Sequence, residues 1–250
     1  MAVRTRPDGR TEPALPTGEE KTRRVRSMFD AIAPRYVLVN RVMTLGLDQG
    51  WRRATVSGLG LAPGSLVLDL ACGTGDLSAL ARRAGLRTLG ADLSWGMLAA
   101  NHRGGPLVQC DAAQLPVTSA SIDGLVCGYG LRNFTDLAGS MAEAARVLRP
   151  GGRLALLEVA APPSGALRAG HRLWFEHVVP FLGGVLSDRD AYHYLPRSTA
   201  YLPDEVALRQ LLLDVGFSGV GRRLLAGGLS QLLVATRSGL PDGALGRSAT

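Results

Sequence analysis

The sequence predicts a doubly wound α/β fold: a mostly parallel sheet with helices on both faces, preceded by N-terminal helices and interrupted late by an insertion. Three observations carry this. From residue 64 short apolar runs alternate with amphipathic stretches, the pattern of strands joined by crossover helices. The first run, 66–70, leads directly into the glycine-rich turn Ala71-Cys72-Gly73-Thr74-Gly75. Aspartates recur at or just past the ends of successive runs, where an open α/β sheet forms its ligand crevice.

Residues 1–20 are rich in Pro, Gly, Thr and charge and are read as a flexible tail, as are 238–250, leaving one domain over 21–237. Val25, Met28, Phe29 and Ile32 recur at helical spacing until Pro34 ends the stretch, and a second helix surrounds Trp51. The runs that follow are 66–70, 87–91, 107–110, 122–127 and 153–159, with helices over 77–84, 95–102 and 137–148. Arg149-Pro150-Gly151-Gly152 marks a helix-to-strand turn. A helix over 204–215 and the runs 219–225 and 230–235 follow, with Gly227-Gly228 as a hairpin turn, bringing the strands to seven. Residues 160–202 break the alternation and are expected to form a lid covering the acceptor.

Of the 250 residues 46% are apolar, enough for a sizeable core and too many for a disordered chain. No uninterrupted apolar run reaches the ~18 residues of a membrane span, and the first residues lack the apolar stretch of a secretory signal. Cysteine occurs only at Cys72, Cys110 and Cys127, which points to free thiols in a reduced, cytoplasmic compartment. The net charge is +7, but the arginines are scattered and the one dense basic run is 21–26, which holds Lys21, the only lysine. A solvated basic face accounts for most of this charge.

Two cofactors compete for the glycine turn. A dinucleotide site asks for G-x-G-x-x-G, and Ser78 stands where the third glycine would be. A P-loop is excluded because no Gly-Lys-Ser/Thr follows. Asp69, Asp76, Asp92 and Asp111 would repel a pyrophosphate. They suit a ligand carrying an ammonium, a sulfonium and a ribose, which describes S-adenosylmethionine. Asp92 is placed for the ribose and Asp111-Ala112 for the adenine edge, while Asp76 doubles as a candidate helix cap. Cys72 and Cys110 are read as small buried apolar groups, and no metal site is expected.

Further motifs resemble a known family. They are Met28-Phe29, Tyr36 and Asn40, the block from Leu68 to Leu77, Gly130-Leu131-Arg132-Asn133 with Thr135-Asp136, Leu157-Glu158, His177-Val178-Val179-Pro180, and Tyr192-His193-Tyr194-Leu195. Over roughly 25–237 the chain resembles the UbiE family of quinone-biosynthesis C-methyltransferases. The glycine motif alone marks class I methyltransferases, with their Rossmann-like seven-stranded sheet; the Gly-Leu-Arg-Asn and Tyr-x-Tyr-Leu blocks narrow it. The resemblance implies cofactor contacts from Thr74, Asp92, Asp111 and Ala112, which join Asp69, Gly73 and Gly75 of the glycine turn and Leu93 beside Asp92 as the candidate cofactor residues. Gly128 stands where the family usually carries Ser, so one hydroxyl contact is expected to be missing. The implied reaction is methylation of a prenylated, demethylmenaquinol-type ring. Val37 and Val39 replace the family's usual Asp and Met, and these departures keep a phenol or polyketide of secondary metabolism as the alternative acceptor.

Methyl transfer from a sulfonium needs donor and acceptor held in line and water kept out. A ring carbon becomes nucleophilic as its neighbouring hydroxyl loses a proton. Arg132 is the candidate to stabilise that phenolate, since a guanidinium binds anions strongly and is no free base. His177, or a water held by a carboxylate, is the candidate to take the proton, with lid packing as the other reading of His177. Asn133 joins the catalytic candidates beside Arg132, and Tyr192 and Tyr194 either line the acceptor pocket or pack the lid. A nucleic-acid methyltransferase is disfavoured: Cys127-Gly128-Tyr129-Gly130 replaces the Asp/Asn-Pro-Pro-aromatic motif, and no cysteine follows a proline. Intact Gly73, Gly75, Asp92 and Arg132 argue against a non-catalytic scaffold. The expected partner is a small aromatic acceptor, a lipophilic quinol by the resemblance. The apolar 173–182 stretch with Arg168, Arg172 and 21–26 is a candidate contact to lipid or to a second copy in a homodimer.

Overall fold

The computed structural model describes residues 16–160, 162, 165–173, 194 and 197–239. One sheet holds β1 Leu66–Leu70, β2 Arg87–Asp92, β3 Leu107–Gln109, β4 Ile122–Gly128, β5 Leu148–Val159, β6 Phe217–Leu225 and β7 Ser230–Arg237, in the order β3-β2-β1-β4-β5-β7-β6. Pairing is parallel from β3 through β5, and β7 lies antiparallel to both β5 and β6. The expected mostly parallel, seven-stranded sheet is therefore present. The largest difference among the strands is the start of β5. The turn at 149–152 lies inside β5, because Leu148 already pairs with Ile122 before Gly151 (φ +77°) bends the strand.

The helices are α1 Gly18–Ile32, α2 Tyr36–Met43, α3 Asp48–Gly58, α4 Asp76–Arg83, α5 Trp95–Ala99, α6 Leu137–Val147, α7 Gly165–Leu173 and α8 Glu205–Asp214. α1 begins inside the segment read as a tail, with Glu19 and Glu20 favourably placed in its first turn. α5 is shorter than expected: Asn101 Oδ1 accepts the Arg103 N–H at 3.0 Å in place of another helical turn.

Successive strand residues face opposite sides, and both sides are apolar, as a doubly covered parallel sheet requires. Leu68, Leu70, Leu125 and Leu156 pack with Met141 and Ala144 of α6 and Leu208 and Leu212 of α8. Val67, Val126 and Ala155 pack with Val56 and Leu59 from the end of α3 and Leu77 and Ala81 of α4. Asp69 lies in β1 between Leu68 and Leu70, so its carboxylate points toward α4, where Ser78 receives it.

α1 lies across the C-terminal side of the sheet and is fastened at both ends. Asp30 Oδ1 accepts from Ser94 Oγ at 2.6 Å and from Gly96 N at 2.7 Å. At the other end Lys21 Nζ donates to Phe134 O at 2.6 Å and stands 3.8 Å above the Tyr201 ring, and Thr22 and Thr135 hydroxyls meet at 2.7 Å. Burial lowers the Lys21 pKa to about 8. Lys21→Met should lower the unfolding free energy by about 1–2 kcal/mol, by removing a charged hydrogen bond and a cation–π contact. An unchanged urea midpoint would show that Lys21 does not anchor α1.

Candidate active site

Strand order reverses between β1 and β4, and at such a switch point the C-terminal strand ends open a crevice. Both strands leave the sheet through a non-glycine residue in the left-handed region, Ala71 (φ 53°) and Tyr129 (φ 61°). A bulky residue rarely adopts that conformation, and such strain concentrates at functional sites. Gly75, at φ +81°, has no room for a side chain, since a Cβ there would stand 2.5 Å from Asn101 Nδ2.

A cavity of about 750 Å³ occupies this crevice. Thr22, Val25 and Phe29 of α1 wall one side, and Gly73, Asp92, Leu93, Asp111, Ala112 and Gly128 wall the other. Asp92 Oδ2 accepts from Gly73 N at 2.7 Å and Oδ1 from Ser94 N at 2.8 Å, so this carboxylate shapes the glycine turn. Burial raises its pKa and the backbone N–H groups oppose the rise. Asp111 is exposed, with Oδ1 accepting from Ala113 N at 2.9 Å. Asn133 lines this cavity, its Nδ2 donating to Tyr129 O at 3.3 Å and its Oδ1 buried without a partner. A Cβ at Gly128 would stand 2.9 Å from Leu77 Cδ1, so Leu77 occupies the space a serine would use.

A smaller cleft of about 290 Å³ opens on the other side of the turn, between Asp69, Thr74, Asp76 and Arg52. Asp69 Oδ2 accepts from Ser78 N at 2.8 Å and Ser78 Oγ at 2.6 Å, while Oδ1 is buried and unpartnered. Burial raises the Asp69 pKa to about 6. The capping role read for Asp76 is corrected. α4 has no side-chain cap, and Asp76 instead pairs with Arg103 at 2.6 Å and Arg52 at 3.9 Å, because a buried carboxylate is stabilised by guanidinium groups.

A second large cavity, about 1230 Å³, shares Phe29, Tyr36 and Tyr129 with the first. Met43, Leu45, Leu47 and Trp51 give it apolar walls, and Arg52 and Arg132 reach it as buried cations. Arg132 Nη1 donates to the Glu158 carboxylate and Nε to Ser198 Oγ at 3.1 Å. Both guanidinium carbons lie 5.9 Å from the Tyr129 ring centroid, and the Tyr129 hydroxyl meets Ser230 Oγ at 3.0 Å. Burial raises the Tyr129 pKa well above the ordinary phenol value, so it is neutral and no base.

Tyr194 lines neither cavity; it is buried, its hydroxyl has no partner, and burial pushes its pKa up to about 12. His177 and Tyr192 lie outside the described residues. The acceptor cover expected from 160–202 contributes only Gly170 and Thr199 to the described wall, and the α2–α3 segment contributes most of it. The sequence reading also gave no role to Arg52, Glu158 or Ser198. Asp48 and Arg52 at helical spacing, and a lone carboxylate ending the apolar β5 run, were the available signals. Cys72 is buried as expected while Cys110 is only partly so, and burial raises the pKa of Cys110 to about 11 and those of Cys72 and Cys127 higher. Among the described residues no cluster of metal-ligating side chains occurs.

This topology and paired-cavity layout define a class I methyltransferase scaffold. The chain shares its fold with a possible histamine N-methyltransferase from Thermotoga maritima (TM-score 0.60, 16% identity, 86% of this chain and 100% of that one). It shares it too with phosphoethanolamine N-methyltransferase 2 of Haemonchus contortus, solved with S-adenosyl-L-methionine (TM-score 0.63, 14% identity, 91% and 62%). Over residues 17–237 the sequence matches the ubiE/COQ5 methyltransferase family, and the chain belongs to that family. It is 39% identical to the demethylmenaquinone methyltransferase of Beutenbergia cavernae over 89% of this chain and 95% of that protein. Identity to the Thermus thermophilus demethylmenaquinone methyltransferase is 40% over 84% and 100%. The chain is thus an S-adenosylmethionine-dependent methyltransferase. The cavities fit that cofactor: Asp69 Oδ1 and Asn133 Oδ1 are buried acceptors without donors, a state costing about 1–3 kcal/mol each that a ligand's ammonium or hydroxyl would relieve.

Proposed function

We propose that this enzyme methylates a ring carbon of a lipophilic quinol of the demethylmenaquinol type, at the cytoplasmic face of a membrane. The observation that carries the reading is the apolar 1230 Å³ cavity that adjoins the cofactor cavity and holds a buried cation, Arg132. Near-40% identity across almost the whole length of enzymes named for demethylmenaquinone supports a quinol over another phenol.

When bound, S-adenosylmethionine supplies an electrophilic methyl on a sulfonium. Asp69 and Thr74 would hold its amino-acid end, Asp92 the ribose hydroxyls, and Leu93, Asp111 and Ala112 the adenine, with Gly73, Gly75 and Gly128 giving close approach. Arg132 holds the quinol oxygen as its proton passes to a water in the acceptor cavity and a phenolate forms, and Glu158 with Ser198 fixes the guanidinium so that its charge needs no reorganisation. Tyr129 stands at the boundary of the two cavities and excludes water from the reacting line. Asn133, on the cofactor side, orients the Tyr129 backbone through its 3.3 Å bond.

The test is mass spectrometry of turnover with a panel of reduced quinones and simple phenols. Methylation of phenols in preference to naphthoquinols would overturn the quinol reading. A pH effect should accompany it. The ionised form of Asp69 is penalised by burial, so it exists above about pH 6, and an ammonium beside it offsets the penalty. As pH falls through 6 the carboxyl becomes neutral and the attraction is lost. Cofactor Kd should therefore rise below pH 6, by at most about tenfold per pH unit, in titration calorimetry. A flat profile would remove Asp69 from the ammonium site.

A further inference from the structure

The turn between α2 and α3 leaves leucines in water. Leu45 is 73% exposed and adopts φ 52°, so an apolar, strained residue stands on the surface where a glycine or asparagine would be cheaper. Leu47 and, on α2, Leu38 are also exposed, as is Leu173 at the end of α7. Two of these four border a single cavity. Leu45 and Leu47 form the lip of the acceptor cavity, and Gly170 of α7 lines the same cavity.

Among the described residues of the α2–α3 segment and α7, the exposed charges have one sign. Between residues 31 and 58 the exposed charged residues are Arg35, Arg41 and Arg53. The single carboxylate of that stretch, Asp48, is buried and paired with Arg52 at 3.2 Å. α7 contains no Asp or Glu. Apolar side chains ringed by cations match the headgroup layer of an anionic membrane, which offers phosphates outside and acyl chains beneath. A second copy of this surface would instead set like charges against each other.

We propose that the α2–α3 turn and the adjoining end of α7 form a docking surface for an anionic bilayer, which sets the mouth of the acceptor cavity against lipid. This rests on the quinol reading, because only a lipophilic acceptor makes that placement useful. The polar head enters toward Arg132, and the tail leaves past Leu45 and Leu47 without crossing water.

The experiment is co-sedimentation of the full chain with vesicles of phosphatidylcholine alone or mixed with phosphatidylglycerol. Binding is expected only to the anionic vesicles and should weaken with added salt. Arg41→Glu/Arg53→Glu and, separately, Leu38→Glu should each weaken it about tenfold or more. The arginine variant should keep its turnover on a short-chain quinol in solution and lose it on a prenylated quinol carried in vesicles. Absent vesicle binding, or binding equal in wild type and variants, would overturn the surface. So would a dimer in sedimentation velocity that Leu38→Glu dissociates. If vesicle binding behaves as expected but no quinol is methylated, the docking surface stands and the quinol reading fails.

Discussion

Arg132→Lys should lower turnover on a quinol by about a hundredfold while leaving cofactor affinity within about twofold. The split follows from where the side chain sits. Arg132 lines the acceptor cavity and not the cofactor cavity. Its guanidinium bridges two partners at once, the Glu158 carboxylate through Nη1 and Ser198 Oγ through Nε. Lysine keeps the charge, but its single ammonium has no planar fork and cannot satisfy both while aiming at a phenolate. The lost interaction is one made as charge develops, so it lowers kcat more than it raises KM. Single-turnover methyl transfer and calorimetry separate the two. Turnover within a few-fold of wild type would show that the chemistry uses the cation only as a point charge, or that another group holds the oxygen.

The sheet was legible because its signal is local. β1 occupies the predicted 66–70, an apolar run closed by a glycine turn, and the hairpin glycines Gly227 and Gly228 take positive φ as their position required. The site was legible only along the strand ends, where Asp92, Asp111 and Gly73 meet by virtue of topology. What failed depended on contacts between distant segments. Glu158 lies 26 positions from Arg132, and Ser198 lies 66 positions from it. Asp76 was read as a cap because its place in the first turn of α4 is visible, whereas its partners Arg52 and Arg103 are brought to it by folding. Ser78 counted in the sequence only as a missing third glycine, yet its N–H and hydroxyl hold Asp69. The acceptor cover was sought in 160–202 because that segment breaks the pattern, and most of that segment lies outside the described residues. The α2–α3 segment does not break the pattern and reads as ordinary amphipathic helix.

Glu158→Ala should be the most destabilising of these substitutions, by about 3–5 kcal/mol out of a total stability of about 5–15 kcal/mol. Glu158 is fully buried at the end of β5, and its carboxylate accepts from Arg132 Nη1, from Arg132 N at 3.4 Å and from Val159 N at 2.9 Å. Removing it leaves a guanidinium that is itself buried without its counter-charge, and two backbone donors without their acceptor. Glu158→Gln keeps the volume and part of the bonding, so it should cost less than Ala while still reducing turnover, because the charge that orients Arg132 is gone. The pair itself need not be stabilising. Replacing both members, as in Arg132→Met/Glu158→Leu, should recover most of the stability lost in Glu158→Ala, since an apolar pair of similar volume removes both desolvation costs. That double variant should have no measurable turnover. Urea midpoints for the two singles and the double, set beside their rates, separate a pair kept for folding from a pair kept to place a cation. A double variant no more stable than Glu158→Ala would mean that the ion pair holds β5 in place. A double variant restored in stability and inactive would mean that the chain carries a buried charge pair for the reaction alone.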